Sequence, residues 1–184
     1  MTGLYSLPVQ ADIGGCIYDL NTDFRVILRI FQALEDHTLP EFLRWQVALR
    51  LFYRQPLPRN VQSQAMEYLV QFLLCGREDT PGAPLIDWQQ DASAIIAGVN
   101  RTAGQEVRAL PYVHWWTFLS WFHAMEPGEL STLVSIRDKL RRGKKLDAWE
   151  QEFYRQNKAR VELKKSLTPE EAAHKAQLNA LLGT

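Results

Sequence analysis

Residues 114–122 read His-Trp-Trp-Thr-Phe-Leu-Ser-Trp-Phe, placing five aromatic rings and a histidine in nine consecutive positions. Such a run can serve as the wall of an active site, as a platform on which nucleic-acid bases stack, or as the buried face of one helix. The other residues with chemical capacity are scattered. The histidines are His37, His114, His123 and His174, and the cysteines are Cys16 and Cys75. His114 and His123 fall on different sides of a helix, which argues against shared metal ligation. The cysteines show neither redox nor metal spacing, and are expected to be buried or half-buried thiols in a reducing cytoplasm.

Catalytic and cofactor signatures are missing from the sequence. It contains no phosphate-binding GxxxxGK[ST], GxGxxG after a strand, HExxH, CxxC pair or GxSxG elbow. The expectation is a protein that is not an enzyme and takes no cofactor or metal. The basic stretch Lys139 to Leu146, KLRRGKKL, suggests phosphate contacts, since counterion release rewards clustered cations. Asp138, Asp147, Glu150 and Glu152 lie close to it and blunt that attraction, so nucleic acid is not expected as a partner on this reading.

The elements that position these residues follow from hydrophobic spacing. Val9, Ala11 and Ile13, then Ile17 and Tyr18, flank Gly14-Gly15, which reads as a β-hairpin over residues 1–20. The remainder reads as helix. A first helix capped by Asn21 or Thr22 carries Phe24, Ile27, Leu28, Phe31 and Leu34 on one stripe. A second, from Pro40, carries Phe42, Trp45, Leu49 and Phe52, and a third, from Arg59, carries Val61, Ala65, Leu69 and Phe72. The prolines and glycines of residues 76–86 form a loop. A fourth helix is expected from Asp87 to Val99, the aromatic run forms a fifth that ends at Pro127-Gly128, and a sixth spans Glu129 to Arg142. Capping boxes at Asp147 to Glu150 and Thr168 to Glu171 open two more, the last running to Leu182.

The predicted fold class is therefore all-α, a bundle of seven to eight helices with a short N-terminal β-hairpin. Its expected organisation is the 1–20 hairpin, a 21–143 helical core containing the 76–86 loop, and a polar 144–184 helical extension. On a helical projection Trp115, Phe118, Leu119, Trp121, Phe122 and Met125 occupy an arc of roughly 160°, as a core-facing side does. His114 lies in the same arc. Trp116 falls outside it, beside Ser120 and His123.

The 184 residues carry a formal net charge of +0. No overall electrostatic pull toward nucleic acid or an anionic membrane follows from that balance. Residues 137–165 are locally basic, with eleven Lys and Arg against five Asp and Glu. No apolar run approaches the roughly 18 residues of a membrane span, and no basic segment leads into an apolar signal core, so a cytoplasmic protein is expected.

Several short motifs occur together and in order: Ile13-Gly14-Gly15, Asn21-Thr22-Asp23-Phe24-Arg25, Asp87-x-x-x-Asp91, His114-Trp115-Trp116-x-Phe118 and Ile136-Arg137. From about Val9 to about Ala159 the chain resembles a family of small proteins of long-tailed bacteriophages and prophages. Members are encoded just ahead of the tape measure protein and are regarded as tail assembly chaperones. The resemblance implies the tape measure protein as partner, with another tail assembly chaperone or sister copies in a homo-oligomer, in the cytoplasm of the bacterial host. Trp116, Trp149 and Phe153 are then the expected anchors of the protein-binding surface. Asp91 and Arg137 are expected to form a structural ion pair, because a carboxylate on an apolar helix is costly unless matched. The competing readings are a structural tail component of the virion and a nucleic-acid-binding regulator acting through residues 137–165.

Overall fold

The computed structural model describes residues 6–75 and 84–164. The chain divides into two compact units, which contain these two stretches respectively. Eight α-helices and one β-hairpin lie among the described residues, in agreement with the fold class expected from the sequence.

The first unit opens with β1 (Gln10–Ile13) and β2 (Cys16–Asp19), paired antiparallel with Ala11 opposite Tyr18 and Ile13 opposite Cys16. The turn between them needs left-handed backbone at both positions, and Gly14 and Gly15 supply it at φ of 62° and 82°. Ala11, Ile13 and Tyr18 are buried, whereas Ile17 faces solvent, as does Cys16 beside the turn, against the burial expected from the sequence. A two-stranded ribbon is marginal alone. Here the second edge is closed by the chain that follows α2 (Glu41–Phe52): Leu20 bridges to Tyr53, the Asn21 amide donates to the Phe52 carbonyl at 2.7 Å, and the Arg54 amide donates to the Asp19 carbonyl at 3.0 Å.

Tyr53 carries this union further. Its ring meets Tyr18 edge to face at 6.0 Å, and its hydroxyl donates at 2.9 Å to the Ala65 carbonyl in α3 (Gln62–Leu73). Burial pushes the phenol well above its ordinary range, so it stays a neutral donor. The hairpin is thus part of the first unit rather than a separate appendage.

Helix α1 (Phe24–Glu35) is capped by Asp23, whose carboxylate accepts the Arg25 amide at 3.0 Å. Sequence spacing puts that cap at Asn21 or Thr22. Asn21 is instead committed to the end of α2, where its side-chain amide donates to the Leu51 carbonyl at 2.8 Å, and Thr22 is buried. Burial along α2 is confined to its second half, at Ala48, Leu49 and Phe52. Phe42, expected on the same stripe, is 62% exposed, and Trp45 is half-buried.

The second unit contains α4 (Ala92–Ala103), α5 (Trp115–His123), α6 (Glu129–Arg141), α7 (Ala148–Gln156) and the single turn α8 (Lys158–Val161). The fourth helix begins later than its apolar pattern predicts. The Asp87 carboxylate accepts the amides of Gln89 and Gln90 at 2.8 and 2.7 Å, which holds these residues in a turn ahead of α4. Two residues beyond the end of α6, Gly143 adopts φ of 64° while the Lys144 amide donates to the Lys139 carbonyl at 2.8 Å.

The two units part between Glu78 and Asp79. The segment beyond Gly143 belongs with the second unit because Val161, 1% exposed, joins Leu133 and Ile136 in one apolar cluster. The helix expected from Thr168 to Leu182 lies outside the described residues. Among the described residues no helix is long and apolar enough to cross a membrane.

A side chain at either hairpin glycine is strained by its φ, but the surroundings differ. A Cβ on Gly14 would stand 2.9 Å from Val61 Cγ1, whereas one on Gly15 would meet nothing within 4 Å. We expect Gly14→Ala to cost about 2 kcal/mol in urea denaturation and Gly15→Asn to cost less than about 1 kcal/mol, since Asn tolerates left-handed backbone.

Candidate protein-binding surface

Arg137 is read from the sequence as the partner of Asp91, and the structure places the two side chains together. The guanidinium grips the carboxylate with two bonds, Nη1 to Oδ2 at 2.6 Å and Nη2 to Oδ1 at 2.8 Å, with both side chains at 5% exposure or less. Its other donors go to main-chain carbonyls: Nε to Val161 at 2.7 Å, Nη1 to Leu85 at 2.9 Å and Nη2 to Arg160 at 2.6 Å. A guanidinium has five N–H groups, and all five are matched. Asp91 Oδ2 also accepts the Asp87 amide at 3.0 Å. The pair therefore fastens α6 to the turn ahead of α4 on one side and to α8 on the other.

The polar segment that follows is held by two arrangements with no periodic signature. Gln90 Nε2 donates to the Glu162 carbonyl at 2.8 Å, and its Oε1 accepts the Lys164 amide at 3.1 Å. Glu150, 2% exposed, closes the predicted capping box by accepting the Asp147 amide at 2.8 Å. It also takes Lys139 Nζ on both oxygens, at 2.8 and 2.7 Å. The sequence shows the capping box and gives no sign of the bond back to α6.

These pairings account for much of the basic stretch. Arg141 and Arg142 pair with Asp138, Arg155 with Glu152 and Arg160 with Glu129. Within residues 137–164, Lys144, Lys145 and Lys164 are the cations that form no ion pair among the described residues. Among those residues, too, no group of three or more His, Cys, Asp or Glu is placed to hold a metal ion.

The aromatic run resolves into core, cap and half-buried rings. Trp115, Phe118 and Leu119 are buried, with Trp115 stacked on Phe118 at 5.8 Å and meeting Trp88 edge on at 5.6 Å. Trp121, Phe122 and Met125 are half-buried, and the helix stops at His123, ahead of the expected Pro127-Gly128. His114 is the N-cap: it is 2% exposed and its Nδ1 accepts the Trp116 amide at 3.0 Å. An accepting Nδ1 places the ring proton on Nε2. The periodic projection treats His114 as one more position of the stripe and misses this role.

The three residues expected to anchor a partner differ in placement. Trp149, at the start of α7, is 58% exposed. Trp116 is half-buried, with its ring set edge to face against His114 at 6.0 Å. Phe153 is half-buried and packs against the cluster of Leu133, Ile136 and Val161, so much of its surface is used within its own unit. The second unit also holds a cleft of about 360 Å³ between α4 and the start of α6, with Phe122, Met125, Leu130 and Val134 among its lining.

The family model described as Bacteriophage Gp15 protein matches residues 4–163. No curated protein and no solved structure matches the chain.

Removing one member of the buried pair leaves a charge without its match. Asp91→Asn and Arg137→Met are each expected to destabilise the protein by about 3–5 kcal/mol in urea denaturation. The double variant Asp91→Leu with Arg137→Met should cost less than the sum of the two single changes; full additivity would show that the pair is not coupled. At the start of α5, His114→Ala should cost about 1–2 kcal/mol and His114→Asn less, because Asn keeps an acceptor for the Trp116 amide. Equal losses would show that the cap bond is not what holds His114 in place.

Proposed function

The chain belongs to the Bacteriophage Gp15 protein family, and from that premise we propose that it is a tail assembly chaperone. On this reading it binds the tape measure protein, or sister copies, in the host cytoplasm while the tail is built, and performs no catalysis. The observation that carries the reading is the family match over residues 4–163, which spans the motifs from Ile13-Gly14-Gly15 to Ile136-Arg137.

The physical features suit such a task. A tape measure protein is a long helical chain whose apolar faces need cover until a tube closes around it. A protein that covers them needs apolar surface of its own and rigid elements to present it. Trp149 at 58% exposure gives the second unit a large ring in solvent, with indole among the side chains most enriched at binding hot spots. Trp116 supplies a second ring at the start of α5, held by the His114 cap beneath it.

Replacing Trp149 and Trp116 together by alanine is expected to reduce co-purification of the tape measure protein about tenfold or more, with the helical circular dichroism kept. Unchanged co-purification would overturn this assignment of the surface. Mass spectrometry of purified particles separates a chaperone, scarce or missing there, from a structural tail component, which would be abundant.

A further inference from the structure

We propose that the first unit carries a second docking surface, a groove along α2 that takes an amphipathic helical segment of another protein by its apolar face and its acidic end. Two clefts, of about 520 and 490 Å³, adjoin on this unit and share Gln46, Leu49 and Gln62 in their walls, so they form one continuous groove. One half is apolar, lined by Phe42, Trp45, Leu49 and Met66. The other half is cationic, with Arg50 and Arg54 beside Pro56 and Leu57.

Two features say that the described residues do not themselves use this groove. Phe42 is the most exposed large hydrophobic side chain among the described residues, at 62%, although its spacing belongs to the buried stripe of α2. Arg50 and Arg54 form no ion pair among those residues, in contrast to most of the arginines of the second unit. Arg54 donates to the neutral Asn21 side chain at 3.0 Å. The nearby Asp19 carboxylate is engaged by Gln10 and Gln55, each at 2.7 Å, and attracts Arg54 through space without forming an ion pair with it. Glu41, unpaired among the described residues, stands at the apolar end.

An apolar trough with acid at one end and two guanidinium groups at the other is complementary to a helix with apolar anchors at i, i+3 or i+4, and i+7 that ends in acidic residues. Along α2, from Glu41 to Phe52, the groove runs roughly 17 Å at 1.5 Å per residue, the length of a helix of about twelve residues. This inference goes beyond the chaperone reading, because the groove lies in the other unit and its test uses no phage component.

The test is calorimetric titration of the full chain with two synthetic helical peptides of about sixteen residues, both with the same leucine face, one ending in three glutamates and the other in three lysines. We expect the glutamate peptide to bind at least about tenfold more tightly. The charge-swap variant R50E/R54E should reverse that preference, and Phe42→Ser should weaken the glutamate peptide by about tenfold. All three side chains are exposed, and circular dichroism checks that the variants fold. Equal binding of the two peptides, or binding unmoved by the variants, would overturn the proposal. Self-association of the wild type that Phe42→Ser abolishes would overturn it too, by assigning the groove to a second copy.

Discussion

The second unit depends on one planar cation. Arg137 sits on a helix whose neighbours Leu133 and Ile136 are core residues, so its guanidinium is forced into the interior and must find five acceptors there. A buried charge costs several kcal/mol in lost hydration, and only full pairing with good geometry offsets it. The arrangement is met by a carboxylate and three main-chain carbonyls drawn from chain segments far apart in sequence. A lysine could not reproduce it, since an ammonium lacks the flat fork that holds two carboxylate oxygens at once. The gain is mainly in specificity: the turn ahead of α4, the body of α6 and the end of α8 have one relative placement that satisfies every donor.

The two units reach internal order by different means. In the first, aromatic packing and main-chain bonding dominate, with Phe52 against Phe72 at 4.9 Å and Tyr53 reaching Tyr18 and Ala65. In the second, long polar side chains do much of the joining, at Arg137, Gln90 and Lys139. Recognition capacity is whatever such schemes leave over. The first unit leaves Phe42 exposed and Arg50 and Arg54 outside ion pairs among the described residues, whereas the second pairs most of its arginines and leaves an indole outside.

Much of the fold was legible where a single local rule decides the outcome. A Gly-Gly pair between alternating apolar residues specified the hairpin, and Asp147 with Glu150 specified the start of α7. Asp91 and Arg137 were legible for another reason: charges embedded in apolar stripes have few tolerable solutions. The misreadings share a cause, which is that periodicity carries no information about partners. It placed Phe42 in the core because the stripe continues, though the burial does not. It started the fourth helix at Asp87, unaware that this carboxylate would fold back on Gln89 and Gln90. It reads the polar residues 144–184 as an extension and shows nothing of the bonds that tie 144–164 to the turn ahead of α4 and to α6. Among the site residues, Trp149 faces solvent as an anchor should, while Phe153 is drawn inward by Val161, a contact that no spacing rule shows.

The wide sequence separation of the Arg137 contacts also sets an order of events on the ribosome. Arg137 follows Asp91 by 46 residues and Val161 follows Arg137 by 24. At synthesis rates of about 5–20 residues per second, the carboxylate waits roughly 2–9 s for its cation and the cation a further 1–5 s for its last carbonyls. Throughout that interval the hairpin, α1, α2 and α3 of the first unit are already made. The apolar surface of α4, α5 and α6 therefore stays available to misfolding or to early capture until the last turn of α8 emerges.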